Sequence, residues 1–210
     1  IIKSNELYFG GNPVTSRFEN YLVFDFEFTT HDTPIGRPRG FFQEIIEVGA
    51  VLMAMPDCNI VDRYQTFVKP RIFPKLSPIC KEITMIAQED VDKGITLSDM
   101  LDKLSELYVK GKTGLVAWGE SDREVIADNC KRYKIDCPFN WNDYIDLSNE
   151  YKKFYGHPRR ISLKHAIDER GIERKGFYHL ALDDAENTAL LAMRMLSEGW
   201  VAANDNKPAE

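Results

Sequence analysis

Two carboxylates close an apolar stretch at Asp25-Phe26-Glu27, inside the run Tyr-Leu-Val-Phe-Asp-Phe-Glu-Phe that begins at Tyr21. Residues two apart on an extended chain face the same way. Asp25 and Glu27 therefore offer oxygen ligands on one side of a strand end, an arrangement that suits a hard divalent cation. Solvated acids on an edge strand would give the same pair, but the hydrophobic flanks speak against that origin. Two other segments add acids. Asp122 opens a helical pattern just after Trp118-Gly119, where alone it is an ordinary helix-start carboxylate. His179 stands just before a helix whose first turn carries Asp184, and that too, by itself, is a negatively charged helix start. Together, carboxylates able to hold cations and an imidazole able to take a proton near neutrality suit cation-assisted hydrolysis.

Such chemistry needs a scaffold that brings three distant segments together. The run ending in Asp25 and Glu27 predicts a strand. Ile45 to Met55 predicts a second, and the alternating stretch Ile60 to Lys69 its antiparallel partner across a turn at Met55-Pro56-Asp57-Cys58-Asn59. These three form a meander. Between the first two, Thr29 to Gln43 is a loop of turn formers whose basic residues face solvent. After Pro70 an extended connection leads to short helical turns over Ile79 to Val91. Met100, Leu101, Leu104, Leu107 and Tyr108 mark an amphipathic helix capped near Ser98. A strand over Gly114 to Trp118 runs straight into a helix over Asp122 to Tyr133, a βα unit. A last short strand lies within Phe139 to Leu147, and helices are expected over Ser148 to Phe154, Ser162 to Arg170 and Leu182 to Ser197. Ile1 to Asn20 reads as an arm, disordered or partly vector-derived, and residues 201–210 as a disordered tail, which leaves 21–200 as the folded domain.

A chain of 210 residues accommodates one domain with a full α/β core. Its 43% hydrophobic and 29% charged content excludes wholesale disorder and fibrous architecture. No apolar run approaches the roughly 18 residues of a membrane span, and the N-terminus lacks a signal-peptide core, so the cytoplasm is the expected place of work. Cys58, Cys80, Cys130 and Cys137 form no CxxC pair, which supports neither a zinc site nor a disulfide framework. A net charge of −6 argues against holding nucleic acid by bulk electrostatics. It leaves room for a nucleic-acid enzyme whose cations offset its acids.

Asp25-Phe26-Glu27, Asp122 and His179 with Asp184 together resemble the motifs of the DEDD superfamily of 3′-to-5′ exonucleases, in its histidine-bearing DEDDh branch, over Tyr21 to about Trp200. Gln43 to Val51 and Ile83-Thr84-Met85-Ile86 are similar to that family's second strand and its Leu-Thr-Gly-Ile segment, with Met85 where glycine is usual. The Gln43-Glu44-Ile45-Ile46-Glu47 string, Leu182-Asp183-Asp184 and Arg194-Met195-Leu196 look most like the small RNA exonucleases of the KapD and enhanced-RNAi group. The resemblance implies an α/β, ribonuclease H-like fold: a central mixed five-stranded sheet, three antiparallel strands plus parallel ones, flanked by helices. It implies catalytic Asp25, Glu27, Asp122, His179 and Asp184, the four acids as metal ligands and His179 as general base. Substrate contacts are expected from Phe28, Thr29, Thr84, Ile86 and Trp118. The implied reaction removes nucleoside 5′-monophosphates from the 3′ end of a single strand, RNA favoured over DNA. Two cations roughly 3.5–4 Å apart would neutralise the phosphate and the leaving oxygen, and an all-oxygen ligand set favours Mg²⁺ or Mn²⁺ over zinc. A DNA-trimming exonuclease and a non-catalytic regulatory binding module on the same fold are the alternatives. The module would have no reason to keep every acid and the histidine.

Several residues have a plainer reading. Glu44 and Glu47 border the second strand and read as structural or supporting groups before direct ligands. His31, His157 and His165 read as surface residues, and Asp183 as a helix cap. Phe28, Trp118 and Phe177 are more often core than stacking platforms, yet each adjoins a motif. The basic run from Lys152 to Arg160 reads equally as a solvated helix end and as a contact for a nucleic-acid backbone.

Overall fold

The computed structural model describes residues 16–31 and 35–202. Three strands form the expected meander: β1 (Asn20–Phe28), β2 (Ile45–Ala54) and β3 (Asn59–Phe67). α1 (Pro78–Thr84), α2 (Gln88–Asp92) and α3 (Leu97–Glu106) lead to β4 (Thr113–Ala117) and α4 (Ser121–Tyr133). β5 (Tyr144–Asp146), α5 (Leu147–Phe154), α6 (Leu163–Glu169) and α7 (Ala181–Ser197) complete the chain. The sheet is five-stranded in the order β3-β2-β1-β4-β5. β1 and β3 flank β2 antiparallel, whereas β4 joins β1, and β5 joins β4, in parallel. This is the mixed sheet expected. No helix among the described residues is long and apolar enough to cross a membrane.

The period-two alternation of β1 sorts two cores. Tyr21 and Val23 pack with Val51 and Met53 of β2 against α5, α6 and α7. Leu22, Phe24 and Phe26 pack with Val48 and Ala50 against α3 and α4. Asp25 and Glu27 continue the first of these faces, so they emerge from under α7 at the carboxyl end of β1.

Three details differ from expectation. The cap of α3 is Thr96, whose hydroxyl accepts from the Asp99 amide at 3.2 Å while Asp99 reaches back to the Thr96 amide. That reciprocal capping box displaces Ser98 as the cap. The expected arm lies for residues 1–15 outside the described residues, but Phe18 is buried in the core beside Tyr21 and Asn20 already pairs with Ala54. At the other end Ala202 is buried in the same core, so the packed chain runs past Trp200, and residues 203–210 lie outside the described ones.

Candidate active site

β1 pairs with β4 only as far as Val23 with Val116. Beyond that point the Phe26 amide is taken up by Asp122 Oδ1 at 2.9 Å, which places the first turn of α4 against the end of β1. The same helix is fixed to the start of β2 by Asn129, whose Oδ1 accepts from Ile45 N at 3.1 Å and whose Nδ2 donates to Gln43 O at 2.7 Å. Asn129 is buried and had only its helical spacing to mark it; a polar residue among the apolar positions of α4 was the available signal.

The third segment arrives from the other side. α7 rests on β2 because Gly49 has no side chain: a Cβ there would lie 2.0 Å from Leu182 N. His179 takes a left-handed backbone, φ 63°, to turn the chain into α7. Its amide donates to Asp184 Oδ2 at 2.9 Å, while Asp184 Oδ1 is buried with no hydrogen-bond partner among the described residues. The His179 ring is exposed, and one ligand atom each from Glu27, His179 and Asp184 lie within 4.8 Å of one another.

The acids are crowded and poorly solvated. Burial, then Glu47, Asp184 and Asp122, push the Glu27 carboxyl up to about 8. Burial raises Asp122 to about 7 against the lowering effect of the Phe26 amide. Asp25 is held well above the usual carboxylate range by burial and by Asp122, Asp184 and Glu27, and Asp184 is raised chiefly by burial. Uncompensated carboxylates resist ionising at such a site, and a divalent cation relieves both the repulsion and the unpartnered Asp184 oxygen. The donors are carboxylate oxygens with one imidazole, a set that fits Mg²⁺ or Mn²⁺.

The residues expected to touch substrate divide. Phe28 lines an open cleft of about 480 Å³ with His31, Arg37, Phe41, Phe42 and Ser121. Thr29 is buried, its hydroxyl accepting from the Glu44 amide at 2.9 Å. Thr84 and Ile86 also point inward, Thr84 Oγ1 donating to Cys80 O at 2.8 Å. The surface of that turn is instead Ile83 and Met85, and Met85 adopts φ 56°, the conformation in which glycine costs nothing. Trp118 is half-buried against Tyr151, its indole N–H donating to Ile161 O at 3.3 Å.

The plainer readings divide as well. Glu44 is structural: it is fully buried and accepts from the Arg71, Ile72 and Phe73 amides and from the Tyr133 hydroxyl. Asp183 is no cap, since α7 is capped at Leu180; its carboxylate reaches back to the Phe177 amide at 2.8 Å. Phe177 is 63% exposed and not core. His157 has a partner, Glu169 at 3.2 Å, and stacks on Tyr151. In the basic run Lys153 pairs with Glu150 at 2.8 Å and Arg160 with Asp146 at 2.5 Å.

The exonuclease family RNase_T matches residues 22–192. The probable 3'-5' exonuclease KapD of Bacillus subtilis is 39% identical over 164 residues, 78% of this chain and 78% of that protein. Human 3'-5' exoribonuclease 1 is 32% identical over 196 residues, 90% of this chain but 55% of that protein, so the chain spans about half of this relative's length. Among solved structures, the nuclease domain of 3'hExo, a DEDDh family member bound to rAMP, has a TM-score of 0.77 at 32% identity and covers 87% of this chain and 94% of that one. A 3'-exonuclease in 3'-end specific recognition of the histone mRNA stem-loop has a TM-score of 0.79 at 28% identity and covers 96% of this chain and 76% of that one.

Proposed function

The chain belongs to the RNase_T exonuclease family as a 3′-to-5′ exonuclease of the DEDDh type, and from that premise we propose that it shortens single-stranded RNA from the 3′ end and releases nucleoside 5′-monophosphates. In this reading Asp25, Glu27, Asp122 and Asp184 hold two divalent cations, Mg²⁺ or Mn²⁺, and His179 is the general base. The observation that carries it is the convergence of β1, α4 and the α7 entry on one acid cluster whose proton affinities are raised and whose Asp184 Oδ1 has no partner among the described residues.

The bound cations would neutralise charge on the scissile phosphate and on the departing 3′-oxygen. The chain's own residues do the rest. The exposed His179 ring stands beside Glu27 and Asp184 and accepts the proton of the attacking water. Its backbone is tied to Asp184, so the base and a ligand share one turn. Phe28 and the cleft beside it receive the strand end, the aromatic faces stacking on bases of any sequence. The names of the relatives, an exoribonuclease and a 3'-exonuclease that recognises a histone mRNA stem-loop, favour RNA over DNA. The proposed place of work is the cytoplasm, where Cys58, Cys80, Cys130 and Cys137 would stay reduced.

The test is degradation of matched 5′-labelled RNA and DNA single strands with Mg²⁺, Mn²⁺ or chelator. A metal-dependent ladder shortening from the 3′ end, faster on RNA, is the expected result. DNA cleaved at the same or a greater rate would refute the RNA assignment, and a ladder that persists in chelator would refute the metal assignment.

A further inference from the structure

The proposed chemistry leaves one buried acid beside the cluster without a task. Glu47 faces Glu27 across the β1–β2 pair and is 2% exposed. Its two oxygens are engaged separately. Gln65 Nε2 of β3 donates to Oε1 at 2.6 Å, and the amide of Ala181, the first residue of α7, donates to Oε2 at 3.3 Å. A buried carboxylate is costly unless donors meet its charge, and here the donors come from two different elements.

Two residues along the same face of β2, Gly49 admits the Ala181–Leu182 backbone by lacking a side chain. β2 therefore receives the first turn of α7 at two neighbouring positions, one by close approach and one by hydrogen bond. That turn carries half of the site. The His179 amide is bound to Asp184, the Phe177 amide to Asp183, and Lys175 to Asn187 through both its amide and its carbonyl, at 2.9 and 3.0 Å. The loop bearing His179 is thus fastened to α7, whereas Asp25 and Glu27 belong to the sheet. The relative placement of the two halves passes through the seat of α7 on β2.

We infer that Glu47 is a positioning residue: bridged between Gln65 and the Ala181 amide, it locks the first turn of α7, and with it Asp184 and His179, in register with Asp25 and Glu27. The catalytic consequence rests on the exonuclease reading; the structural lock does not.

Glu47→Met keeps the approximate volume and removes both acceptors. Gln65→Ala removes one donor from the surface, with little risk to folding, since Gln65 is exposed. Glu47→Gln is the conservative variant: its amide oxygen accepts from Ala181, and its NH₂ donates to the Gln65 amide once that exposed group turns over to present its oxygen. Hydrogen exchange at the Ala181 amide, measured without substrate, should quicken about tenfold in Glu47→Met and about threefold in Gln65→Ala, and stay within about threefold of the parent in Glu47→Gln. Turnover should follow, falling roughly 10- to 100-fold in Glu47→Met with KM for the strand unchanged, and largely retained in Glu47→Gln. Unchanged Ala181 exchange in both Glu47→Met and Gln65→Ala would overturn the inference. So would Glu47→Gln with normal Ala181 protection but turnover as low as Glu47→Met, since that would make the Glu47 charge itself the needed feature. If protection responds as expected while no RNA is cut, the lock stands and the exonuclease reading falls.

Discussion

Glu27→Gln removes one charge from the acid cluster at almost constant volume, and its effect on stability follows from the raised proton affinity of the site. Burial, then Glu47, Asp184 and Asp122, lift Glu27 from its ordinary 4.5 to about 8. A folded-state value above the unfolded one means that the native protein binds more protons than the unfolded chain between those pH values, so stability falls as pH rises. The contribution is complete below about pH 4.5, drains away as pH climbs, and is gone above about pH 8. At about 1.4 kcal/mol per pH unit the span is on the order of 5 kcal/mol for this carboxyl titrating alone. Its neighbours share the same repulsion, so about 3 kcal/mol is the expected loss, or roughly 6–12 °C in Tm for a domain of this size. Thermal melts by circular dichroism in chelator, from pH 5 to 8.5, measure it. The parent protein should melt progressively lower than Glu27→Gln as pH rises, and the two should converge near pH 5. Saturating Mg²⁺ or Mn²⁺ at pH 8 should raise the parent by about 2–3 kcal/mol at one hundred times Kd and leave Glu27→Gln much less affected. A Glu27→Gln protein that melts below the parent at pH 8 in chelator would refute the reasoning, because the carboxylate would then be stabilising without a cation.

Asp25→Ala should abolish cleavage while the fold is retained, with a metal-free Tm equal to or above the parent, since burial and four neighbouring acids oppose its charge; appreciable Mg²⁺-dependent turnover by this variant would end the cation-ligand assignment. His179→Ala should lower turnover by roughly 10²–10⁴-fold with metal affinity preserved, and the acid limb of its pH–rate profile should flatten or move; an unchanged limb would hand the base role to another group. A strand with a 3′-phosphate, or a circular one, should resist degradation, and equal rates on blocked and free ends would mark an endonuclease.

Much of the scaffold was legible because β1 and β2 alternate between two cores and the helical stretches repeat at three and four residues. Asp25 and Glu27 stood out because charge inside an apolar strand has no packing reason to be there. Asp122 and the His179–Asp184 pair became meaningful only in combination, through the family resemblance. Less legible was whatever depends on backbone turns. Ile83 and Met85 face outward while Thr84 and Ile86 are buried, a division set by the face of α1 and by the left-handed turn at Met85 that ends it. The capping box at Thr96 was readable from Asp99 three residues on, whereas Asp183 could not be told from a cap without knowing that α7 starts at Ala181.

The least legible feature was the division of labour between Glu44 and Glu47, two buried glutamates in one five-residue string. Glu44 lies just before β2, and an irregularity in the β1–β2 register between Ile45 and Glu47 breaks the simple alternation that would relate the two. Glu44 turns toward α4 and closes on the 71–73 amides and Tyr133, donors that lie 27 to 29 and 89 residues along the chain. Glu47 turns toward α7 and meets Gln65 and Ala181, 18 and 134 residues away. Neither set of donors has a local signature, because a backbone amide belongs to every residue type and only the fold says which one is left over. The sequence marks both acids as anomalous. Only the sheet, with a different helix on each face, makes one of them the clasp of a loop and the other a neighbour of the reacting groups.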